Sequence, residues 1–171
     1  ARRPTVDRPI TMSSARLAGA AKLPSVRALK ELRAHIAGHE ADAWATVDLF
    51  ATLKMPAFSR QTEYESLRDP AEYAFYGGDL VTSDGDKAKP RDYKNIIHES
   101  LVRHSSAKHV KNKRSSLMVG ALARFNNNHK QLNARGQAAA AKIGLKAPCY
   151  NPYANNFAQT VEIAHCFDEA K

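Results

Sequence analysis

The sequence predicts an α+β fold that is predominantly α-helical and contains a small β element. Apolar residues recur at intervals of three, four and seven over residues 26–50, as expected for a long amphipathic helix. Residues 58–89 are instead rich in aromatic residues and glycine and contain the turn signal Ser83-Asp84-Gly85, which is typical of short strands. Helical patterns return towards the carboxyl end. We therefore expect a basic arm over residues 1–24 and a single domain over residues 25–171.

The first helix is predicted to run from Ser25 to about Leu53. Ser25 is a good N-cap because its hydroxyl can accept a hydrogen bond from a free backbone N–H of the first turn. Gly38 interrupts the pattern and weakens the helix near its middle, and Pro56 ends it.

The remaining elements follow from periodicity and from glycine and proline signals. A strand is predicted over Asp79–Thr82 and a helix over Asp92–Val102. The apolar run Leu117–Ala123 indicates a strand that leads into a turn. Two further helices are predicted over His129–Ile143, which Gly144 would cap, and over Asn156–Ala170.

Composition limits the classes of function. The chain has 171 residues, of which 43% are hydrophobic, enough for a folded core. No apolar run is long enough to cross a bilayer and no secretory signal is evident, so we expect a cytoplasmic protein. The formal charge of +9 favours association with a polyanion or an acidic partner.

The side chains that usually carry chemistry are sparse. The two cysteines, Cys149 and Cys166, are too few for a disulfide framework and wrongly spaced for a metal clamp, so we expect buried or idle thiols. Neither a phosphate-binding glycine loop nor a serine nucleophile elbow is present. His35 and His39 share a helix face, but no third metal ligand is evident near them.

A basic stretch over residues 103–114 contains no acidic residue. Its cations are candidates for contact with a partner or a polyanion: Arg103, Lys108, Lys111, Lys113 and Arg114. Such charge would support binding of nucleic acid, but aromatic residues for base stacking are missing. A solvated loop or a surface for an acidic partner subunit is the preferred interpretation.

One motif indicates a family. The segment His104-Ser105-Ser106-Ala107-Lys108 is followed by Met118-Val119-Gly120-Ala121-Leu122-Ala123-Arg124-Phe125-Asn126. This order resembles the signature of nickel–iron hydrogenase large subunits, in which a Ser-x-x-Lys-type segment precedes Val-Gly-Pro-Leu-Ala-Arg-x-Asn. Ala121 stands where the family usually has proline. The likeness extends to residues 69–85, 151–153 and 161–170, and it is closest in character to the soluble sulfhydrogenase-like or NAD(P)-linked branch.

The resemblance implies the central part of a large-subunit fold, but the family's metal-binding motifs are absent. Four cysteine thiolates hold nickel and iron in this family, in Arg-x-Cys-Gly-x-Cys and Asp-Pro-Cys-x-x-Cys motifs, and this chain contains neither. It is therefore expected to bind no cofactor alone. The nickel–iron centre would belong to the complete subunit, whose other segments or chains carry the Cys-x-x-Cys motifs, together with an iron–sulfur small subunit.

Three explanations remain open: a fragment, one piece of a split large subunit, or a decayed relative kept as a structural or binding module. We favour a piece of a large subunit of the type that oxidises H2 reversibly, inactive when isolated. Lys108, Arg124 and Glu162 are candidates for shaping the electrostatics near the metal pocket. For two of these residues a purely structural alternative is open. Arg124 would pair with a carboxylate and so fix the strand and turn, and Glu162 would lie on a partly exposed helix face.

Overall fold

Ser25 begins the first helix of the computed structural model, which describes residues 24–170. Its hydroxyl accepts a hydrogen bond from Ala28 N–H at 3.2 Å and caps α1, Val26–Gly38. The helix α2 follows as Glu40–Thr52. The predicted single helix is therefore two, because the backbone leaves helical geometry at His39 (φ −98°, ψ 9°) directly after Gly38. Nearly all of the predicted basic arm lies outside the described residues.

The main sheet contains four short strands: β1 (Glu63–Arg68), β2 (Asp79–Thr82), β3 (Lys87–Ala88) and β6 (Leu117–Met118). Their order in the sheet is β3-β2-β1-β6. The pairs β1–β2 and β2–β3 are antiparallel, whereas β1 and β6 run parallel. The predicted strand over Asp79–Thr82 is confirmed.

A separate antiparallel hairpin consists of β4, His98–Val102, and β5, Ser105–Lys111. The predicted helix over Asp92–Val102 is wrong, since a 3₁₀ turn covers Pro90–Asn95 and a strand follows it. Local periodicity misled the prediction because the backbone of β4 bonds to β5, and the cross-strand partner lies later in the sequence. Leu101, which lies on β4, is 78% exposed.

Three helices complete the fold. The helix α3 spans Ala121–Asn128, so the prediction of a strand over Leu117–Ala123 holds only for its first two residues. The predicted helix over His129–Ile143 is a 3₁₀ turn, His129–Gln131, followed by α4, Ala134–Ile143. Asn133 caps α4, and Gly144 ends it in the left-handed conformation, as predicted. The last helix, α5, spans Ala154–Glu169, close to its predicted bounds.

Four of the described glycines have a positive φ, which L-residues rarely adopt: Gly78, Gly85, Gly120 and Gly144. Gly78 has φ +99°, and a Cβ placed there would lie 2.3 Å from the carbonyl oxygen of Arg68, so the turn into β2 requires glycine. Gly120 has φ +93°, but a Cβ would meet only the Asn155 side chain at 3.6 Å. Glycine is therefore required at position 120 by the dihedral angle and not by a close approach of neighbouring backbone.

The side chains of β1 alternate between two faces, and the two faces have different surroundings. Tyr64 points into the hydrophobic core, which also contains Val47, Leu122, Phe125 and Val161 from the helices. Glu63 and Glu65 occupy the opposite face, and both are buried. Among residues 24–170, no helix has the length and apolar character that crossing a membrane requires.

Candidate functional site

An ion pair between Arg124 and Glu162 joins the motif helix α3 to the last helix α5. Arg124 Nε donates to Glu162 Oε1 at 2.6 Å, and Arg124 Nη2 donates to Glu162 Oε2 at 2.8 Å. Glu162 is only 7% exposed. A two-point guanidinium–carboxylate contact fixes orientation as well as charge. The alternative in which Arg124 pairs with a carboxylate is confirmed, and the expected exposure of Glu162 is wrong.

Aromatic side chains surround this pair. Tyr73 Oη donates to Glu162 Oε1 at 2.9 Å, and the guanidinium of Arg124 lies 5.5 Å from the centre of the Phe75 ring. Burial, reinforced by the charge of Glu162 and by the hydrogen bond to it, raises the pKa of the Tyr73 phenol well above its ordinary value. Tyr73 therefore remains a hydrogen-bond donor at neutral pH. The cluster holds one cation, one anion and a neutral donor.

His165 packs beside Tyr73, with ring centres 5.1 Å apart. Its Nδ1 accepts a hydrogen bond from the Asn133 N–H at 3.2 Å, which places the proton of the neutral ring on Nε2. Burial lowers the pKa of His165, partly opposed by the Glu169, Glu162 and Asp168 carboxylates. The imidazole is therefore neutral at neutral pH and links α4 to α5.

The described residues do not by themselves fit a nickel–iron centre. Within residues 24–170, no three His, Cys, Asp or Glu side chains lie close enough to share a metal ion. Both cysteines are free thiols. Packing around the sulfur of Cys166, together with the Glu162 and Glu169 carboxylates, raises the pKa of this thiol. Cys166 is therefore protonated at neutral pH, whereas a metal-binding cysteine is a thiolate.

Lys108 does not join the Arg124–Glu162 cluster. It lies on β5, where Lys108 Nζ donates to Glu99 Oε2 on β4 at 2.6 Å. The hydrogen bond to Glu99 raises the pKa of Lys108. Of the three candidate residues Lys108, Arg124 and Glu162, the structure therefore brings the last two together and places Lys108 on the hairpin.

Glu63 binds the end of the basic stretch. This carboxylate has no solvent exposure and accepts hydrogen bonds from Asn112 Nδ2 at 2.8 Å, Lys113 N at 3.1 Å and Arg114 N at 3.3 Å. We call this group the Glu63 clamp. Glu63 was missed from the sequence because an isolated glutamate in a polar segment resembles a surface residue.

Three of the five basic candidates are already paired within the chain. Lys113 Nζ donates to Asp86 at 2.6 Å, and Arg114 makes two hydrogen bonds to Asp84 at 2.6 and 2.7 Å. With Lys108 held by Glu99, only Arg103 and Lys111 have no ion pair among the described residues. The stretch is mostly a β-strand, not a loop, and much of its charge is neutralised locally.

Glu65 is a buried carboxyl without a partner. It is 2% exposed, and neither carboxyl oxygen has a hydrogen-bond partner within residues 24–170. Burial and the charge of Glu63 raise the pKa of Glu65 from an ordinary 4.5 to about 7. Glu65 was not predicted as a functional residue, because the residues next to it in the sequence do not indicate burial.

This raised pKa predicts a pH-dependent stability. Between pH 4.5 and 7 the folded state holds a proton on Glu65 that the unfolded chain has lost, so the free energy of unfolding falls as pH rises through this range and levels off above it. We expect Glu65 to account for a loss of up to about 3 kcal/mol. Urea unfolding of the wild type and Glu65→Gln at pH 4.5 and 8 measures it. The exposed control Glu31→Gln should show the same decrease in the free energy of unfolding between pH 4.5 and 8 as the wild type. An equal decrease in the wild type and Glu65→Gln would contradict the prediction.

Part of a solved nickel–iron hydrogenase shares the fold that carries these sites. A crystal structure of an NAD+-reducing nickel–iron hydrogenase in the H2-reduced state matches this chain with a TM-score of 0.67 and 22% sequence identity. The match covers 87% of this chain and 38% of the solved chain.

Sequence similarity points to the same class of protein. The chain is 32% identical over 176 residues to Sulfhydrogenase 1 subunit alpha of Pyrococcus furiosus. The alignment covers 96% of this chain and 39% of that protein, so the chain spans about two fifths of the relative's length. No protein-family model matches the sequence. The chain is thus a homologue of one part of a nickel–iron hydrogenase large subunit, and the resemblance found in its motif is confirmed.

Proposed function

We propose that this chain forms part of a hydrogenase large subunit that oxidises H2 reversibly to protons and electrons within a cytoplasmic multi-subunit complex. The similarity to the sulfhydrogenase alpha subunit over 96% of this chain carries the proposal. The chain is inactive alone, because the described residues lack a set of thiolates for the nickel–iron centre. When bound, that centre supplies the chemistry at hydrogen. Cys-x-x-Cys segments in the same or another chain hold it.

The Arg124–Glu162 pair has a positioning role in this proposal. Arg124 belongs to the Val-Gly-x-Leu-Ala-Arg segment, and its two hydrogen bonds to Glu162 fix α3 against α5. Their charges are compensated within the cluster, so the pair sets the local electrostatic field without adding net charge. The position of Lys108 on the exposed hairpin does not support a similar role for it.

Exposed apolar surface supports packing against further polypeptide. The helix α1 has no buried residue, and Val26, Leu29 and Leu32 are 69%, 44% and 51% exposed along one stripe. Amphipathic helices usually bury such a stripe. Remaining large-subunit segments and an iron–sulfur small subunit are the partners that we propose. Nucleic acid is less favoured, since Lys108, Lys113 and Arg114 are already paired.

Native purification of the complex tests the proposal. The expected result is a stable assembly that contains this chain, a polypeptide with Cys-x-x-Cys motifs and stoichiometric nickel by elemental analysis. The assembly should reduce a redox dye with H2, whereas this chain purified alone should contain no nickel and show no such activity. Stoichiometric RNA with a steep salt dependence, and no nickel in any assembly, would instead support the binding-module alternative.

A further inference from the structure

A cavity of about 390 Å³ lies between the main sheet and the β4–β5 hairpin, and the unpartnered Glu65 lines it. Its walls include the apolar side chains of Ile97, Val110, Leu117 and Val119. The ion pair of Lys108 and Glu99 lies on the same cavity. A largely apolar cavity beside a buried carboxyl without a partner has the form of a specific binding pocket.

We infer that this cavity receives a lysine or arginine side chain from the part of the large subunit that lies outside this sequence, and that its cationic group pairs with Glu65. The inference rests on the proposed function, which supplies the second polypeptide. The chain spans only 39% of its sulfhydrogenase relative, so a large part of a complete subunit is available to cover this face.

The chemistry of the pocket selects a basic side chain. Burial of a carboxylate without a partner carries a large desolvation free energy. A positively charged N–H donor offsets this desolvation most directly. The methylene stem of lysine or arginine matches apolar walls, because such side chains bury their stems and extend their charged ends.

The basic residues described around the cavity are already occupied. Lys108 is held by Glu99 at 2.6 Å on the hairpin. The nearby cations of the Glu63 clamp, Lys113 and Arg114, pair with Asp86 and Asp84. The occupant therefore has to come from elsewhere. The two Glu65 oxygens have no solvent contact, so the entering group reaches them only after a side chain of the cavity wall moves.

A first experiment tests the chemistry of the pocket on the full 171-residue chain. Glutamate carboxyl carbons are labelled with ¹³C, the Glu65 signal is assigned with Glu65→Gln, and n-butylguanidinium chloride is added at constant ionic strength. We expect the Glu65 pKa to start near neutral and to fall by at least about one unit with saturable dependence on the probe. The cation n-butyltrimethylammonium, which has no N–H donor, should give a much smaller change.

Two results of this titration would overturn the inference. One is a Glu65 pKa that is unchanged by the guanidinium probe. The other is a Glu65 pKa already below its ordinary value before any probe is added, which would show that Lys108 or the amino-terminal residues hold the carboxylate. In Glu65→Gln the probe should no longer shift the methyl signals of Val110 and Val119, and an unchanged shift would also count against the pocket.

A second experiment tests the source of the occupant in the assembled protein. The wild type, Glu65→Gln and the exposed control Glu31→Gln are each co-produced with the Cys-x-x-Cys-bearing polypeptide, and dissociation constants are measured. We expect Glu65→Gln to weaken association by roughly 30-fold or more, as for loss of one member of a buried charge pair, and Glu31→Gln to leave it unchanged. Equal affinity of the wild type and Glu65→Gln, in assemblies that contain nickel, would reject the inference without contradicting the proposed function. Failure of the wild type to associate or to carry nickel would reject the proposed function, and the assignment of the occupant with it.

Discussion

Arg124→Leu is expected to lower the free energy of unfolding by about 3–5 kcal/mol, which is the effect of removing one partner from a buried ion pair. The substitution leaves Glu162 with only the Tyr73 hydroxyl as a donor in the cluster, at a position that is 7% exposed. The cost arises from an uncompensated charge in a poorly solvated site. Urea unfolding at pH 7 measures it, with the denaturant slope checked for two-state behaviour.

Matched variants separate this effect from general damage. The double variant Arg124→Leu/Glu162→Leu should recover part of the loss, because no buried charge remains without a partner. Arg27→Leu breaks an exposed pair with Glu31, whose side chains are 88% and 64% exposed, and should cost less than about 0.5 kcal/mol. Equal costs for Arg124→Leu and Arg27→Leu would contradict the role assigned to the cluster.

The second large effect is expected for Glu63→Leu, which should lower the free energy of unfolding by about 3 kcal/mol. The change removes the acceptor of three hydrogen bonds in the Glu63 clamp, and the donors left behind are partly buried. Two of those donors are the backbone N–H groups of Lys113 and Arg114. Urea unfolding gives the cost, and amide hydrogen exchange of Lys113 and Arg114 should become faster.

A nearby carboxylate provides the control for Glu63. Glu99→Leu removes an exposed partner of Lys108 on the hairpin and should cost less than about 1 kcal/mol, without changing exchange at Lys113. Unchanged exchange at Lys113 and Arg114 in Glu63→Leu would show that the clamp does not hold this segment. The basic stretch would then be a surface whose conformation does not depend on Glu63.

Local signals in the sequence predicted several elements of the fold. Ser25 marked the start of α1, Gly144 the end of α4, and the strand β2 was found within its actual bounds. These features depend on a few adjacent residues whose backbone preferences are strong. The motif around Arg124 predicted the family, because an ordered set of specific residues is informative without any knowledge of packing.

Several of the errors fall where distant residues decide the local structure. Residues 98–102 form β4 because they pair with β5, although their apolar spacing favoured a helix. Glu162 was expected on a partly exposed face, but the helices packed around it bury it and bring Arg124 and Tyr73 to its oxygens. Lys108 looked equivalent to Arg124 in the motif and lies instead on the hairpin with Glu99.

The sequence by itself determined the class of fold, the kinship with hydrogenase large subunits and the absence of the family's metal-binding cysteine motifs, since each follows from residue type and order along the chain. Only the tertiary structure decided which charges are paired and which carboxylates are buried. The burial of Glu63 and Glu65 arises from neighbours that are up to about fifty positions away in the chain. Their desolvation depends on the surrounding packing, which the order of residues does not reveal.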